Sequence, residues 1–140
     1  MICLALYKGP ASGFFNKLVH YVICIATWSK YSHCELSING LCYSSSFRDG
    51  GVRKKSIDLT DGKWDVVSIE GADEARALAR FAEREGRKYD WIGAFLSCTP
   101  WPRSESGKDF CGGINAYMLG LDKPQSWTPA ELAQKFMEKR

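Results

Sequence analysis

Short apolar runs separated by turn-forming dipeptides occupy the first half of the chain, and a three-and-four spacing of apolar positions dominates the second half. Ile2-Cys3-Leu4-Ala5-Leu6-Tyr7, followed by Gly9-Pro10, predicts a buried strand ended by a turn. Ser12 then predicts the cap of a helix running to about Thr27, with Phe15, Leu18, Val19, Val22, Ile23 and Ala26 as its buried face. Residues 32–38 and 41–47 flank Asn39-Gly40, a dipeptide suited to the positive φ angles of a type I′ turn, and predict a hairpin. A two-residue loop sets Ile38 opposite Leu41, Glu35 opposite Ser44 and His33 opposite Ser46. His33, Glu35, Ser37, Cys42, Ser44 and Ser46 then share one ribbon face, because side chains alternate with period two.

Asp49-Gly50-Gly51 turns into a strand over 52–59, whose Arg53-Lys54-Lys55 marks a solvent-exposed edge, and Asp61-Gly62 turns into another over 64–69. Helices follow. One covers 72–85, with Ala75, Leu78, Ala79 and Ala82 on its inner side and Gly86 as its stop. A short one covers 89–96 and is broken by Thr99-Pro100-Trp101-Pro102, and a polar loop spans 103–108. Asp109 is the expected N-cap of a helix carrying Phe110, Ile114, Tyr117 and Met118, which puts Cys111 in the first turn and ends at Gly120. Thr128-Pro129-Ala130-Glu131 is a capping box for a last helix that packs through Leu132, Phe136 and Met137. The pattern is that of a single α+β domain over residues 1–140, a small antiparallel sheet packed against helices.

Composition narrows the function. Nineteen Lys and Arg against sixteen Asp and Glu give a formal net charge of +3, too slight for a nucleic-acid footprint. Cys3, Cys24, Cys34, Cys42, Cys98 and Cys111 form no Cys-x-x-Cys pair, so neither a zinc framework nor a disulfide scaffold is expected, and no cofactor or metal is assigned. The start of the chain lacks a charged leader and a cleavage site, and the longest apolar stretch, 18–28, is short of the ~20 residues of a membrane span. The expectation is a cytoplasmic protein with reduced thiols and no nucleic-acid partner.

Cys111 is the cysteine whose setting would activate it. The unpaired N–H groups and dipole at a helix start stabilise a thiolate, and the same N–H groups can hold an oxyanion. Gly112 and Gly113 lack side chains, so a substrate carbonyl could approach the backbone there. The competing reading makes Cys111 a small core residue and the glycines an aid to packing. His33 is the candidate base, and Glu35, two residues along the same strand face, the candidate group to orient it, with Ser44 and Ser46 as alternatives. His20, mid-helix in an apolar run, is expected to pack or to cap locally. Cys34 points to the opposite strand face and counts with the bystander thiols. The five tryptophans, Trp28, Trp64, Trp91, Trp101 and Trp127, are not spaced as a stacking platform and are assigned mostly to core or cleft walls.

Four segments carry a family resemblance: 30–36 (KYSHCEL), 44–53 (SSSFRDGGVR), Tyr89-Asp90-Trp91 and Phe110-Cys111, together with the Leu-Gly-Leu helix end and the Thr128-Pro129 box. The chain resembles the circularly permuted papain-like cysteine hydrolases of the NlpC type, especially short proteins of tailed phages and bacteria described as distant relatives of cell-wall hydrolases. Histidine preceding cysteine is the permuted order. It departs from similar phage proteins in having Gly112-Gly113 where those carry serine and glutamate. The resemblance implies a permuted papain-like fold, Cys111 as nucleophile, His33 as general base and Glu35 as orienting residue. The implied activity is thiol-dependent cleavage of an amide bond in a peptide, peptidoglycan stem peptide or protein isopeptide. An acyltransferase or lipid hydrolase on the same scaffold, and a non-catalytic virion or binding protein, stand beside it.

Overall fold

The computed structural model describes residues 1–9, 12–97, 99 and 106–137. The expected Gly9-Pro10 turn, the break at 100–102, most of the polar loop from Arg103, Cys98 and Trp101 fall wholly or partly outside them. The architecture is α+β. Five strands, β1 (Ile2–Tyr7), β2 (His33–Ile38), β3 (Leu41–Ser46), β4 (Gly51–Lys55) and β5 (Trp64–Ile69), form one antiparallel sheet in the order β4-β3-β2-β1-β5. The helices are α1 (Phe14–Ala26), α2 (Glu74–Arg84), α3 (Trp91–Leu96), α4 (Cys111–Met118) and α5 (Pro129–Met137), with a 3-10 turn at Pro124–Ser126.

The hairpin forms in the expected register, Ile38 opposite Leu41 and Leu36 opposite Tyr43, with Asn39 and Gly40 both at positive φ. That register sorts the side chains. Ile2, Leu4 and Leu6 of β1 lie opposite Ile38, Leu36 and Cys34 of β2, and this apolar face packs against Ala77 and Phe81 of α2, Ile114 and Met118 of α4, and Leu132 of α5. The other face carries Tyr7, His33, Glu35, Ser44, Ser46, Arg53 and Trp64. The core therefore lies between the sheet and α2, α4 and α5, and the polar face is left to α1 and the connecting loops.

Several local expectations are corrected. Gly13, not Ser12, occupies the N-cap of α1, and it makes no side-chain cap bond. The face expected to be buried is largely open, because Phe15, Leu18 and Val22 are exposed and His20 is the buried residue of that helix. Nearly every position of α1 is apolar, so periodicity alone leaves its inward stripe undefined. In α2 the inner side is Ala77, Phe81 and Arg84, whereas Ala75, Ala79 and Ala82 are exposed; Asp73 caps the helix by accepting from the Arg76 N–H. Phe110 takes the N-cap of α4 without a side-chain bond, since Asp109 is instead ion-paired to Arg84 at 2.8 Å. β4 ends at Lys55, short of the expected residue 59, and Trp28, expected in the core or a cleft wall, is 97% exposed.

Gly51 has a backbone reason to be glycine. Its φ is +148°, and a Cβ there would stand 2.0 Å from the Arg87 carbonyl oxygen. This close approach lets Val52 N–H donate to that carbonyl and joins the start of β4 to the segment leading toward α3.

Candidate active site

His33 opens β2, a strand that α4 packs against, and its ring projects from the polar face of the sheet. Glu35 follows on the same face and is fully buried. The His33 Nε2–H donates to Glu35 Oε1 at 2.7 Å, leaving Nδ1 to face the thiol. Two strands away, Arg53 lies opposite Ser44 and reaches across the sheet to Glu35. Its guanidinium grips the carboxylate bidentately, Nη1 to Oε2 at 2.8 Å and Nη2 to Oε1 at 2.6 Å, while Nε donates to Asp49 at 2.7 Å. Burial would raise the Glu35 pKa, but the bonds from His33 and Arg53 override it and hold the group ionised below its ordinary value.

Cys111 arrives from the other side. It is the first residue of α4 and is 5% exposed, where the orphan N–H groups of the first turn and the helix dipole favour a thiolate. Cys34 meets it there. This cysteine does point away from His33, as alternation requires, but the face it points to is the one on which α4 packs. Its hydrogen bond to Cys111 is the largest influence lowering that thiol's pKa; burial opposes it, and the charge and hydrogen bond of His33 add to it, leaving Cys111 well below the usual thiol range. Cys34 itself is pushed up by burial and by its neighbour, so it remains a thiol donor. Asn115, one helical turn after Cys111, donates from Nδ2 to Cys34 Sγ at 3.3 Å. Burial would lower the His33 pKa, but the charge and hydrogen bond of Cys111, reinforced by Glu35, raise it to about 9. The favoured state is a thiolate–imidazolium pair backed by a buried carboxylate and an arginine.

The dyad opens onto a cavity of about 220 Å³ on the polar face of the sheet. Its floor includes Tyr7, His33, Ser46 and Trp64, and α1 walls one side with Val19, His20 and Ile23. Phe47, Arg48 and Tyr89 stand opposite. The cavity touches the dyad through His33, and Cys111 is not among the residues that line it. His20, expected to pack locally, is buried against this cavity with Nδ1 2.6 Å from the Ser32 hydroxyl, and burial lowers its pKa. It contributes a polar group beside the aliphatic Val19 and Ile23 of the same wall.

The remaining candidates have other employment. Ser44 is fully buried and donates to the Cys34 carbonyl at 2.7 Å, which fixes the strand carrying the dyad, and only Ser46 borders the cavity. Gly112 presses against the Trp127 carbonyl, so packing accounts for its absent side chain, whereas Gly113 only borders the Phe110 ring; the N–H groups of both belong to the first turn of α4. Among the described residues no cluster of three or more His, Cys, Asp or Glu has the arrangement of a metal site, and Cys3, Cys24, Cys34, Cys42 and Cys111 are free thiols. No described helix is long and apolar enough to cross a membrane.

Sequence reasoning missed Arg53, Cys34 and Asn115. Arg53 was assigned to an exposed edge, yet a buried glutamate requires a counter-charge and the β3–β4 register supplies it. Asn115 stands four residues after Cys111 as a polar position in an apolar helix, which was a usable signal. The chain matches no protein-family model, no curated protein and no solved structure.

Proposed function

We propose that the protein is a thiol-dependent hydrolase of amide bonds built on a permuted papain-like scaffold, with Cys111 as nucleophile and His33 as its acid–base partner. The observation that carries this reading is a buried cysteine as the first residue of α4 together with an imidazole whose Nε2 is anchored at 2.7 Å to a fully buried carboxylate, and the opposed pKa directions of the two groups agree with it. Cys111 Sγ attacks the substrate carbonyl carbon, and the first-turn N–H groups of α4 receive the oxyanion. The His33 imidazolium gives its proton to the leaving amine, and a thioester remains on Cys111. Water then attacks the thioester carbonyl, losing a proton to neutral His33, and the carboxylic acid product leaves as the thiolate returns. Arg53 and Glu35 keep the ring oriented and charged. The substrate is a peptide, a peptidoglycan stem peptide or a protein isopeptide.

Alkylation by iodoacetamide at neutral pH, read residue by residue by mass spectrometry, tests the dyad. Cys111 should react fastest of the cysteines, and His33→Ala should slow it. If Cys111 reacts no faster than Cys34 or Cys42 and His33→Ala changes nothing, the reading fails. A screen of peptidoglycan fragments and peptide amides against wild type and Cys111→Ala then identifies the bond cut. A second reading, transfer or hydrolysis of a fatty-acyl group through the same thiol, is favoured by the apolar wall of Val19, Ile23 and Trp64, and labelling of Cys111 by acyl donors separates the two.

A further inference from the structure

Helix α1 is folded with its more apolar side outward. Phe14, Phe15, Leu18, Tyr21, Val22 and Ile25 are all exposed, whereas the imidazole of His20 is turned inward. The helix ends in a turn closed by Ser29 N–H donating to the Cys24 carbonyl. The left-handed position there, ordinarily a glycine, is taken by Trp28 at φ 49° and 97% exposure. Across the cavity, α3 repeats the pattern, with Trp91, Ile92 and Phe95 exposed and Trp91 meeting Phe47 at a tilt and Tyr89 edge-on, each with ring centroids 5.2 Å apart. Two unpartnered apolar helices thus flank one cleft.

The exposed charges beside these helices are mostly positive, Asp90 at the cap of α3 being buried and bonded to the Gly93 N–H. Residues 1–34 contain Lys8, Lys17 and Lys30 and not a single Asp or Glu, and residues 91–97 carry no charge at all. Lys8 and Lys30 share one carboxylate, Asp65, leaving a surplus cation. Lys17 and, on the opposite rim, Arg48 have no acidic partner among the described residues. An apolar face of Phe, Leu, Ile and Val, with Tyr and Trp among its exposed rings and cations in excess beside it, is the composition of a helix lying in a membrane interface. At 13 residues α1 is about 20 Å long, too short to span a bilayer but long enough to lie along one. A second copy fits poorly: an isologous pairing of this face would bring Lys17 and Arg48 against their equivalents with no acid between them.

We propose that α1, Trp28 and α3 form a docking surface for an anionic phospholipid bilayer, with their apolar side chains entering the headgroup boundary and Lys17 and Arg48 meeting lipid phosphates. The cleft between them then faces the membrane. This docking requires no thiol chemistry, so it stands or falls separately from the hydrolase reading.

Co-sedimentation of the full chain with vesicles of phosphatidylglycerol and of phosphatidylcholine tests it. Wild type and Cys111→Ala should partition alike onto phosphatidylglycerol vesicles and much more weakly onto phosphatidylcholine. Phe15→Ser/Leu18→Ser/Ile25→Ser, at positions already exposed, should keep the far-ultraviolet dichroism of the wild type and lower the partition coefficient at least about tenfold. Lys17→Glu/Arg48→Glu should abolish the preference for the anionic lipid. Wild type remaining in the supernatant, or the triple variant binding as wild type does, overturns the proposal. So does a solution dimer, read by light scattering, that the triple substitution dissociates while vesicle binding is unchanged, for the occupant would then be a second copy.

Discussion

Arg53 and Glu35 form a two-bond fork across three strands of the sheet, and this pair holds the imidazole of His33 in place. Glu35 is wholly enclosed, and Arg53 is 15% exposed. Removing one member of such a pair leaves an uncompensated buried charge, which costs about 3–5 kcal/mol. Arg53→Ala should therefore lower unfolding stability by about that amount in urea denaturation at neutral pH. Arg53→Lys keeps the charge but loses the planar fork and should recover most of the stability, falling short by about 1 kcal/mol. A loss under ~0.5 kcal/mol for Arg53→Ala, the range of an ordinary surface change, would show that the carboxylate finds its counter-charge elsewhere.

The pH dependence follows from the two opposed shifts in the dyad. Cys111 is held well below the thiol range and His33 is raised to about 9, so the thiolate–imidazolium form spans neutral pH and ends on the alkaline side near 9. On the proposed mechanism, amide hydrolysis needs the imidazolium proton and should decline above about pH 9. Glu35→Gln withdraws one of the interactions that raise His33 and should move this alkaline limb down by about one unit, while the thiolate remains. The measurement is kcat/KM against pH for both proteins. An alkaline limb unmoved by Glu35→Gln would detach Glu35 from the site.

Cys34 tunes its neighbour by donating to it. Cys34→Ala should raise the Cys111 pKa, so that the thiolate titrates about one unit higher and iodoacetamide alkylation slows about tenfold at pH values below the wild-type pKa. At a pH above the new pKa the two rates should converge, which a merely distorted site would not do. Cys34→Ser retains a donor and should restore part of the rate lost on the acid side. If the ultraviolet thiolate titration of Cys34→Ala overlays that of the wild type, the hydrogen bond has no bearing on reactivity.

Legibility followed the kind of information each residue carries. The hairpin and the shared face of His33 and Glu35 were readable because Asn39-Gly40 fixes a register and alternation does the rest. Cys111 at a helix start was readable from the apolar spacing behind it, even though Phe110 and not Asp109 sits at the cap. Arg53 was not, since its role arises from pairing between β3 and β4 together with burial of a partner eighteen residues earlier. Cys34 was placed on the correct face and then dismissed, because nothing local says which helix will cover that face. The inversion of α1 escaped for the opposite reason: apolar residues on both of its sides give periodicity no preference, and only the tertiary contact of His20 with Ser32 decides.

The glycine pair after Cys111 separates packing from chemistry at adjacent positions. A Cβ on Gly112 would lie 2.0 Å from the Trp127 carbonyl oxygen, a backbone atom held by the turn before α5, so Gly112→Ala must displace the start of α4. That overpacking should destabilise the fold by about 1–3 kcal/mol and reduce Cys111 alkylation as the first turn moves. At Gly113 the Cβ meets the Phe110 ring at 3.3 Å, where a side chain can yield by a few tenths of an ångström. Alanine there also gains up to about 1 kcal/mol of helix propensity, which offsets the crowding, so Gly113→Ala should stay within about 1 kcal/mol of wild type and keep its thiol reactivity. Thermal unfolding and alkylation of the two variants decide the matter. Loss of reactivity in a stably folded Gly113→Ala would mean that the missing side chain serves substrate approach after all, and that the packing account holds for Gly112 alone.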